Sequence, residues 1–208
     1  MQVNIITGDI TQFSGDAIVN AAKVTLEGGG GVDGAIHRAA GPKLKEACCA
    51  LPVSMTMPDG TLIRCEVGQA RLTAGFDLPA KHVIHTVGPI WPSENAPTHP
   101  GGYRQYRPAE ALIVKAIYAS FKLAKHHNLH SVAFPAISCG IFGGDVGQFG
   151  YGMAAILNMT DWQPIQSVTV YLFDDAQREQ FRKGYENALN ARRPLWKRLL
   201  GVGRVTVA

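Results

Sequence analysis

Two glycine-rich segments hold the residues best suited to chemistry in this chain of 208 residues. Residues 28–34 contain four consecutive glycines followed by Val32, Asp33 and a further glycine, and a helical pattern occupies 35–40. Glycines at the amino end of a helix expose backbone N–H groups, which attract phosphate together with the helix dipole. Asp33 is a carboxylate beside this loop, so we predict that it acts as a helix cap, or as an acceptor or general base towards sugar hydroxyls or water.

A second glycine-rich segment, residues 138–144, comes directly after an apolar run at 131–136. Two phosphate-sized loops at strand ends predict a ligand that contains a diphosphate. Phe142 in the second segment offers a face for a sugar and Phe173 can stack on a base, although either ring taken alone is more often a core residue than a ligand contact. Asp9 follows the first apolar run and can accept a hydrogen bond from an exocyclic amine of a base, or cap a turn.

Short apolar runs of strand length alternate with helical patterns along the chain. The two clearest helices are predicted at 108–127 and 175–190, where apolar residues recur at helical spacing. Several of the runs are too continuously apolar to be half-exposed, so they favour a sheet that is covered on both faces. The sequence therefore predicts an α/β domain of three layers, with its ligand beyond the carboxyl ends of the strands. The predicted strands are 3–6, 17–22, 70–74, 83–87, 131–136 and 168–173.

Length and composition limit the chain to one globular domain. The sequence is 46% apolar and 17% charged, which suits a single domain that we place at 1–190. The formal charge of +4 comes from a basic tail at 191–208, so the rest of the chain is close to neutral and nucleic-acid binding is not inferred. No apolar run reaches the roughly 18 residues of a membrane span, and the amino end lacks a signal-peptide pattern, so we expect a cytoplasmic protein.

Two further features concern cofactors and partners. The four cysteines have no paired spacing and no histidine at ligand spacing, so reduced thiols and no metal site are expected. Residues 91–107 are rich in proline, glycine and polar side chains, and they are predicted to form one long surface loop. Neither feature indicates a cofactor or a second subunit, and we expect a monomer.

The chain contains five motifs, at residues 8–11, 16–22, 28–41, 85–89 and 134–140. In this order they closely resemble the macro domain family, in particular its bacterial branch of ADP-ribosyl and O-acetyl-ADP-ribose hydrolases. The resemblance implies a three-layer α/β/α fold with a mixed, six-stranded central sheet. It also implies a cleft for ADP-ribose, free or attached to a protein, and a hydrolysis or deacetylation that requires no metal.

The resemblance further implies roles for individual residues. Asp33 would be the catalytic acid-base residue, which orients or deprotonates a water that attacks the anomeric carbon of the distal ribose or the carbonyl of an acyl ester on it. Asp9 and Ile10 would contact the adenine, with Phe173 near its face. The residues expected to contact the rest of the ligand are Asn20, Gly30, Gly31, Val32, Ser138, Cys139, Gly140, Ile141 and Phe142.

Lys23 departs from the family's pattern, which normally has an asparagine at this position, ten residues before the aspartate. Lysine offers only donors on a long, flexible stem, so the ribose contact must differ. Lys23 can reach Asp33 or the phosphates and weaken the base. Alternatively, it points outwards and a water takes the place of the asparagine, or its amine acts chemically, for instance on a ring-opened ribose. Lys23 is therefore a second candidate catalytic residue.

The second glycine-rich segment departs from the family's pattern as well. Residues 143–150 contain more glycine than the helix start that is usual there. Each interior glycine disfavours a helix by about 1 kcal/mol. The sequence therefore predicts a more mobile loop at 143–150.

Three other functions stay open. The first is a reader, which binds ADP-ribose without cutting it, and Lys23 is the residue in its favour. The second is a cysteine hydrolase that uses Cys139 with His85, since each lies in a strand-end segment. The third is nucleic-acid binding through the basic tail, which would depend on salt concentration.

Overall fold

The structure, a computed structural model, describes residues 1–91 and 109–191. Residues 92–107 of the predicted surface loop and 192–208 of the predicted basic tail therefore lie outside the described residues. None of the described helices combines the length and the apolarity needed to cross a membrane.

The central sheet of the described residues has six strands: β1 (Gln2–Thr7), β2 (Ala17–Ala21), β5 (Ala70–Ala74), β6 (His82–Thr86), β7 (Ser131–Pro135) and β8 (Ser167–Leu172). Their order in the sheet is β1-β8-β7-β2-β6-β5. Neighbouring strands are parallel except β5 and β6, which are antiparallel. The predicted mixed, six-stranded sheet is thus confirmed, and each of the predicted apolar runs overlaps one of its strands. A separate two-stranded hairpin, β3 (Met55–Thr56) with β4 (Leu62–Ile63), was not predicted.

In the described part of the chain, five helices cover the sheet: α1 (Gly31–Ala40), α2 (Pro42–Ala50), α3 (Ala109–His126), α4 (Val146–Leu157) and α5 (Asp175–Asn190). Alternate residues of a strand point to opposite faces, and β2 shows how this separates two cores. Ile18 belongs to a buried cluster with Ile36 of α1 and Leu44 of α2. Val19 belongs to the other cluster, with Ile113 of α3 and Phe149 of α4. The fold is therefore the predicted three-layer α/β/α arrangement.

Helix α4 corrects one prediction, because it begins inside the segment 143–150 that was expected to be a loop. The Asp145 side chain accepts a hydrogen bond from the backbone N–H of Gln148 at 2.7 Å and caps the helix. A Cβ atom on Gly150 would collide with the Phe181 carbonyl oxygen of α5. Glycine therefore allows the two helices to pack closely, and this contact offsets the low helix propensity on which the prediction relied.

The sheet order brings the loops of interest together. The strands β1, β8, β7, β2 and β6 run parallel, so their carboxyl ends lie at one edge of the sheet. The segments that follow them contain Asp9, Lys23, Ser138 and Phe173. Ligands of α/β sheets bind at this edge.

Candidate functional site

A cavity of about 280 Å³ lies between the two glycine-rich segments. Both predicted phosphate loops line it, together with Lys23 and the short turn after β2. Its lining residues are Ala21, Ala22, Lys23, Gly30, Gly31, Val32, Gly88, Ala136, Ser138, Gly140, Ile141 and Phe142. The structure therefore brings together most of the residues that were expected at the diphosphate. Another cavity, of about 550 Å³ between α3, α4 and α5, contains none of the predicted site residues.

The first loop presents a helix amino end to this cavity. Gly30 is the residue before α1 and makes no side-chain cap, so the N–H groups of the first turn have no such partner. Gly31 has a φ of +60°, a left-handed conformation that residues with a Cβ atom rarely adopt. Open donors and the helix dipole favour an anion here.

The second loop follows β7 and is fixed by backbone hydrogen bonds. Gly143 donates to the Gly140 carbonyl oxygen at 2.9 Å, and Gly144 donates to the Ser138 carbonyl oxygen at 2.9 Å. Ser138 is buried with a φ of +66°, and its Oγ atom has no hydrogen-bond partner among the described residues. A buried, unpaired hydroxyl at a cavity wall is suited to contact a polar ligand.

Asp33 lies in the first turn of α1 and is only 4% exposed. Its Oδ1 atom accepts a 2.7 Å hydrogen bond from Nδ2 of Asn20 and lies 3.5 Å from Nε2 of His37. Its Oδ2 atom is buried and has no partner among the described residues. Asp33 does not cap the helix through a side-chain bond at Gly30. One carboxylate oxygen is therefore held in place, and the other is buried without a protein partner among the described residues. Asp33, Asn20 and Cys139 are not among the residues that line the cavity.

The pKa values of Asp33 and His37 move towards each other. Burial raises the pKa of the Asp33 carboxyl, while the Asn20 hydrogen bond and the nearby charges of His37 and Lys23 oppose this rise. Burial lowers the pKa of His37, and Asp33 opposes that change. A carboxylate with a raised pKa is a stronger base than an ordinary one. The pair is suited to take up and pass on a proton.

A buried polar network behind Asp33 orients the Asn20 side chain. Asn20 and His85 are paired in the register of β2 and β6, and Asn20 Nδ2 lies 3.2 Å from His85 Nδ1. The other ring nitrogen of His85 lies 2.9 Å from Thr73 Oγ1 on β5. Burial lowers the pKa of His85 to about 3, so its ring is neutral at physiological pH. A neutral ring that accepts from Asn20 at Nδ1 carries its proton on Nε2 and donates it to Thr73.

Lys23 is exposed, but its ammonium group lies on the side of Asp33. Lys23 Nζ and Asp33 Oδ2 are each 3.0 Å from the position that a Cβ atom on Gly29 would occupy. The two atoms therefore cannot be more than twice that distance apart. No ion pair within 4.0 Å joins them in the described part of the chain. Of the three expectations for Lys23, this geometry most resembles the one in which the amine influences Asp33 through its charge.

The expected adenine contacts lie at the β1–β8 end of the same sheet edge. Asp9 accepts a 2.9 Å hydrogen bond from the Thr11 backbone N–H and caps a short 3-10 helix, Ile10–Gln12. Asp9 therefore caps a turn, which is one of the two roles predicted for it. Its carboxylate can still accept a hydrogen bond from a nucleotide base. Ile10 is buried, and Phe173 is 85% exposed directly after β8. The exposure of Phe173 argues against the alternative in which this ring packs in the core.

The cysteine pairing considered from the sequence does not form. The Cys139 thiol donates to the Ile137 carbonyl oxygen, and burial raises the pKa of this thiol to about 12. The His85 ring instead lies beside Cys48, whose Sγ atom is 3.5 Å from His85 Nε2, while the Cys65 thiol donates to the His85 carbonyl oxygen. A thiol with a raised pKa is a poor nucleophile, so the geometry does not favour a cysteine hydrolase.

One group of side chains has ligand atoms close enough to share a metal ion. The atoms of His37, Cys48 and His85 lie within 4.8 Å of one another. However, the ring nitrogens of His85 are occupied by Asn20 and Thr73, and burial raises the pKa of the Cys48 thiol to about 12. Metal binding requires a thiolate and a free imidazole nitrogen. These contacts favour a structural role for the group.

The fold and the cavity define a three-layer α/β/α domain with a ligand cleft at the carboxyl ends of its parallel strands. The family model for the macro domain matches residues 19–149. The chain belongs to the macro domain family.

Similar proteins occur in bacteria and in animals. A macro domain-containing protein of Xanthomonas axonopodis pv. citri is 44% identical over 189 residues, which are 91% of this chain and 96% of that protein. The ADP-ribose glycohydrolase MACROD2 of Mus musculus is 48% identical over 142 residues, which are 68% of this chain but 26% of the mouse protein.

Solved macrodomains share the fold. A mutant macrodomain of Oceanobacillus iheyensis, solved with ADPR, has a TM-score of 0.70 and 32% identity, and the match covers 90% of this chain and 93% of that chain. The Trypanosoma brucei macrodomain in complex with ADP-ribose has a TM-score of 0.67 and 29% identity, and the match covers 91% of this chain and 69% of that chain.

Proposed function

We propose that this macro domain binds ADP-ribose and hydrolyses its linkage to a protein carrier, with Asp33 as the general base. The observation that supports hydrolysis most directly is the Asp33 carboxylate, which is buried with Oδ1 held by Asn20 and Oδ2 free of protein partners. The solved macrodomain relatives with ADPR or ADP-ribose support the choice of ligand.

The diphosphate would bind between the two glycine loops. Gly30, Gly31 and Val32 at the start of α1 line one wall of this cavity, and Ser138 lines the other. The adenine would lie towards Asp9, Ile10 and Phe173. The distal ribose would then lie over Asp33, with Asn20 beneath the carboxylate.

In the proposed reaction, Asp33 Oδ2 accepts a hydrogen bond from a water and removes a proton from it. The water oxygen bonds to the anomeric carbon of the distal ribose as the bond from that carbon to the carrier breaks, and the proton taken up by Asp33 passes to the departing carrier. His37, 3.5 Å from Asp33 Oδ1, influences the pKa of Asp33 through its charge. The same water can attack the acyl carbonyl of O-acetyl-ADP-ribose, so deacetylation is a second reaction of this site.

A reader without turnover is the second candidate, and the position of Lys23 is the observation in its favour. The charge of Lys23 lowers the pKa of Asp33, which makes the carboxylate a weaker base. Lysine also lacks the acceptor atom with which an asparagine could hold a ribose hydroxyl. Binding would then persist while the chemical step is slow.

The two candidates are separated by measuring release of ADP-ribose from a mono-ADP-ribosylated protein by the wild type, Asp33→Ala and Lys23→Asn. The hydrolase proposal expects wild-type turnover that Asp33→Ala abolishes. The reader is supported if only Lys23→Asn is active. Calorimetry with free ADP-ribose is the independent check, and a lack of binding at millimolar ligand contradicts both candidates.

A further inference from the structure

A second cavity, of about 450 Å³, lies on the other side of the glycine loop. Gly28 and Gly29 line it, whereas Gly30 and Gly31 line the cavity assigned to the diphosphate. The rest of its wall comes from the exposed face of α1 and the start of α2, including His37, Arg38 and Lys45. The two cavities are therefore neighbours separated by one short stretch of glycine backbone.

The second cavity has a surplus of positive charge. Arg38 and Lys45 are exposed, and neither forms an ion pair within 4.0 Å in the described part of the chain. The acidic residue on its wall, Glu27, is paired with Arg64 at 3.3 Å. Asp77 approaches the rim at Gly41 without pairing with either cation. Unpaired cations around a concave surface attract anionic groups.

This cavity also borders residues that adjoin the carboxylate proposed to act on the substrate. His37 lines the cavity and lies 3.5 Å from Asp33 Oδ1. On the loop side, the position that a Cβ atom on Gly29 would occupy is 3.0 Å from Asp33 Oδ2. If Asp33 acts on the anomeric carbon, the carrier attached to that carbon lies near Asp33. The second cavity, whose wall includes Gly29 and His37, is then within reach of carrier residues that flank the modified one.

We propose that the second cavity binds acidic side chains of the carrier, next to the residue that bears the ADP-ribose, through Arg38 and Lys45. The inference rests on the proposed function, because it needs ADP-ribose to lie with its distal ribose over Asp33. It goes beyond that function in assigning a preference for acidic carriers to residues that do not contact ADP-ribose.

The test uses two peptides that bear ADP-ribose on the same residue and differ only in flanking glutamates or flanking serines. Their affinities are measured by calorimetry in an Asp33→Ala background, which prevents turnover during the titration. Two exposed ion pairs give a preference for the glutamate peptide of about tenfold at low salt. The preference shrinks as salt is added, because exposed charges are screened.

The double variant Arg38→Glu/Lys45→Glu is expected to lose or reverse this preference while keeping its affinity for free ADP-ribose. Lys122→Glu is the matched control, because Lys122 is an exposed lysine on α3, in the other helical layer. It is expected to keep the preference. Equal affinity for the two peptides, or a preference that survives the double variant, overturns the subsite alone. A lack of binding to free ADP-ribose instead overturns the proposed function and the subsite together.

Discussion

Replacing Asn20 with alanine removes the 2.7 Å hydrogen bond to Asp33 Oδ1. Both residues are buried, at 0% and 4% exposure, so water cannot replace the lost donor. A buried hydrogen bond to a charged group contributes about 2 kcal/mol. For a domain of this size each kcal/mol lowers Tm by roughly 2–4 °C, so Asn20→Ala is expected to melt about 4–8 °C lower.

The same substitution shifts the pH dependence of the reaction. The Asn20 hydrogen bond lowers a pKa that burial raises, so its loss raises the pKa of Asp33 further. A general base must be deprotonated, and the acidic limb of the kcat/KM profile is therefore expected to move to higher pH. An NMR titration of the Asp33 carboxyl carbon measures the same shift without turnover.

The control for this prediction is Ser120→Ala. Ser120 is a buried residue of α3 whose Oγ atom donates to the Ala116 carbonyl oxygen at 2.8 Å. Its loss is expected to lower Tm and to leave the acidic limb in place. An Asn20→Ala variant whose limb stays at the wild-type pH, or moves to lower pH, refutes the role assigned to the hydrogen bond.

Three further predictions concern stability. Folded His85 has a pKa of about 3 against an ordinary 6.5, so its contribution is complete above pH 6.5 and is lost as the pH falls towards 3. His85→Gln, which cannot protonate, is expected to show a shallower fall of Tm in that window, and an equally steep fall argues against this. The raised pKa of Asp33 means that its carboxylate destabilises the fold above that pKa, so Asp33→Asn is expected to raise Tm at pH 7 by a few degrees. The gain should vanish below pH 3.8, where both states are protonated, and its persistence there would point to another cause. Gly150→Ala places a Cβ atom against the Phe181 carbonyl oxygen and is expected to cost about 2 kcal/mol in chemical denaturation, while Gly147→Ala, which meets its neighbours at 3.1 Å or more, should cost less.

The sequence predicts the layers of this fold well because its signals are local. A continuously apolar run needs only to be buried, and each of the central strands was found in this way. Helix α5 has the predicted bounds, and Asp174 accepts from the Gln177 N–H at 2.7 Å as a cap. The amino end of α2 had a local signal too, since Pro42 follows Gly41 and occupies the first turn.

The sequence-based predictions are wrong where a residue's role is to contact a segment that is distant along the chain. The glycines of α4 look like helix breakers until α5 is seen against them, and no local pattern reports that contact. Similarly, His85 was considered as a partner for Cys139, whereas strand pairing places it beside Asn20. Thr73 could not be assigned to the site from the sequence, because it reaches Asn20 only through His85. That link depends on the pairing of β2 with β6 and of β6 with β5.

The buried network of Asn20, His85 and Thr73 also makes the proposed chemistry depend on β5, an outermost strand of the sheet. Thr73 belongs to β5, which is an outermost strand of the central sheet and, among the described strands, pairs with β6 alone. Edge strands open more readily than central ones. Opening of β5 would expose His85 to water and free the Asn20 amide to rotate, while both glycine loops stay attached to central strands. Brief local unfolding of β5 would therefore stop the proposed turnover while ADP-ribose stays bound. Among variants of this strand, the hydrogen-exchange rate of the β5 amides would then correlate with kcat more closely than with the Kd for ADP-ribose.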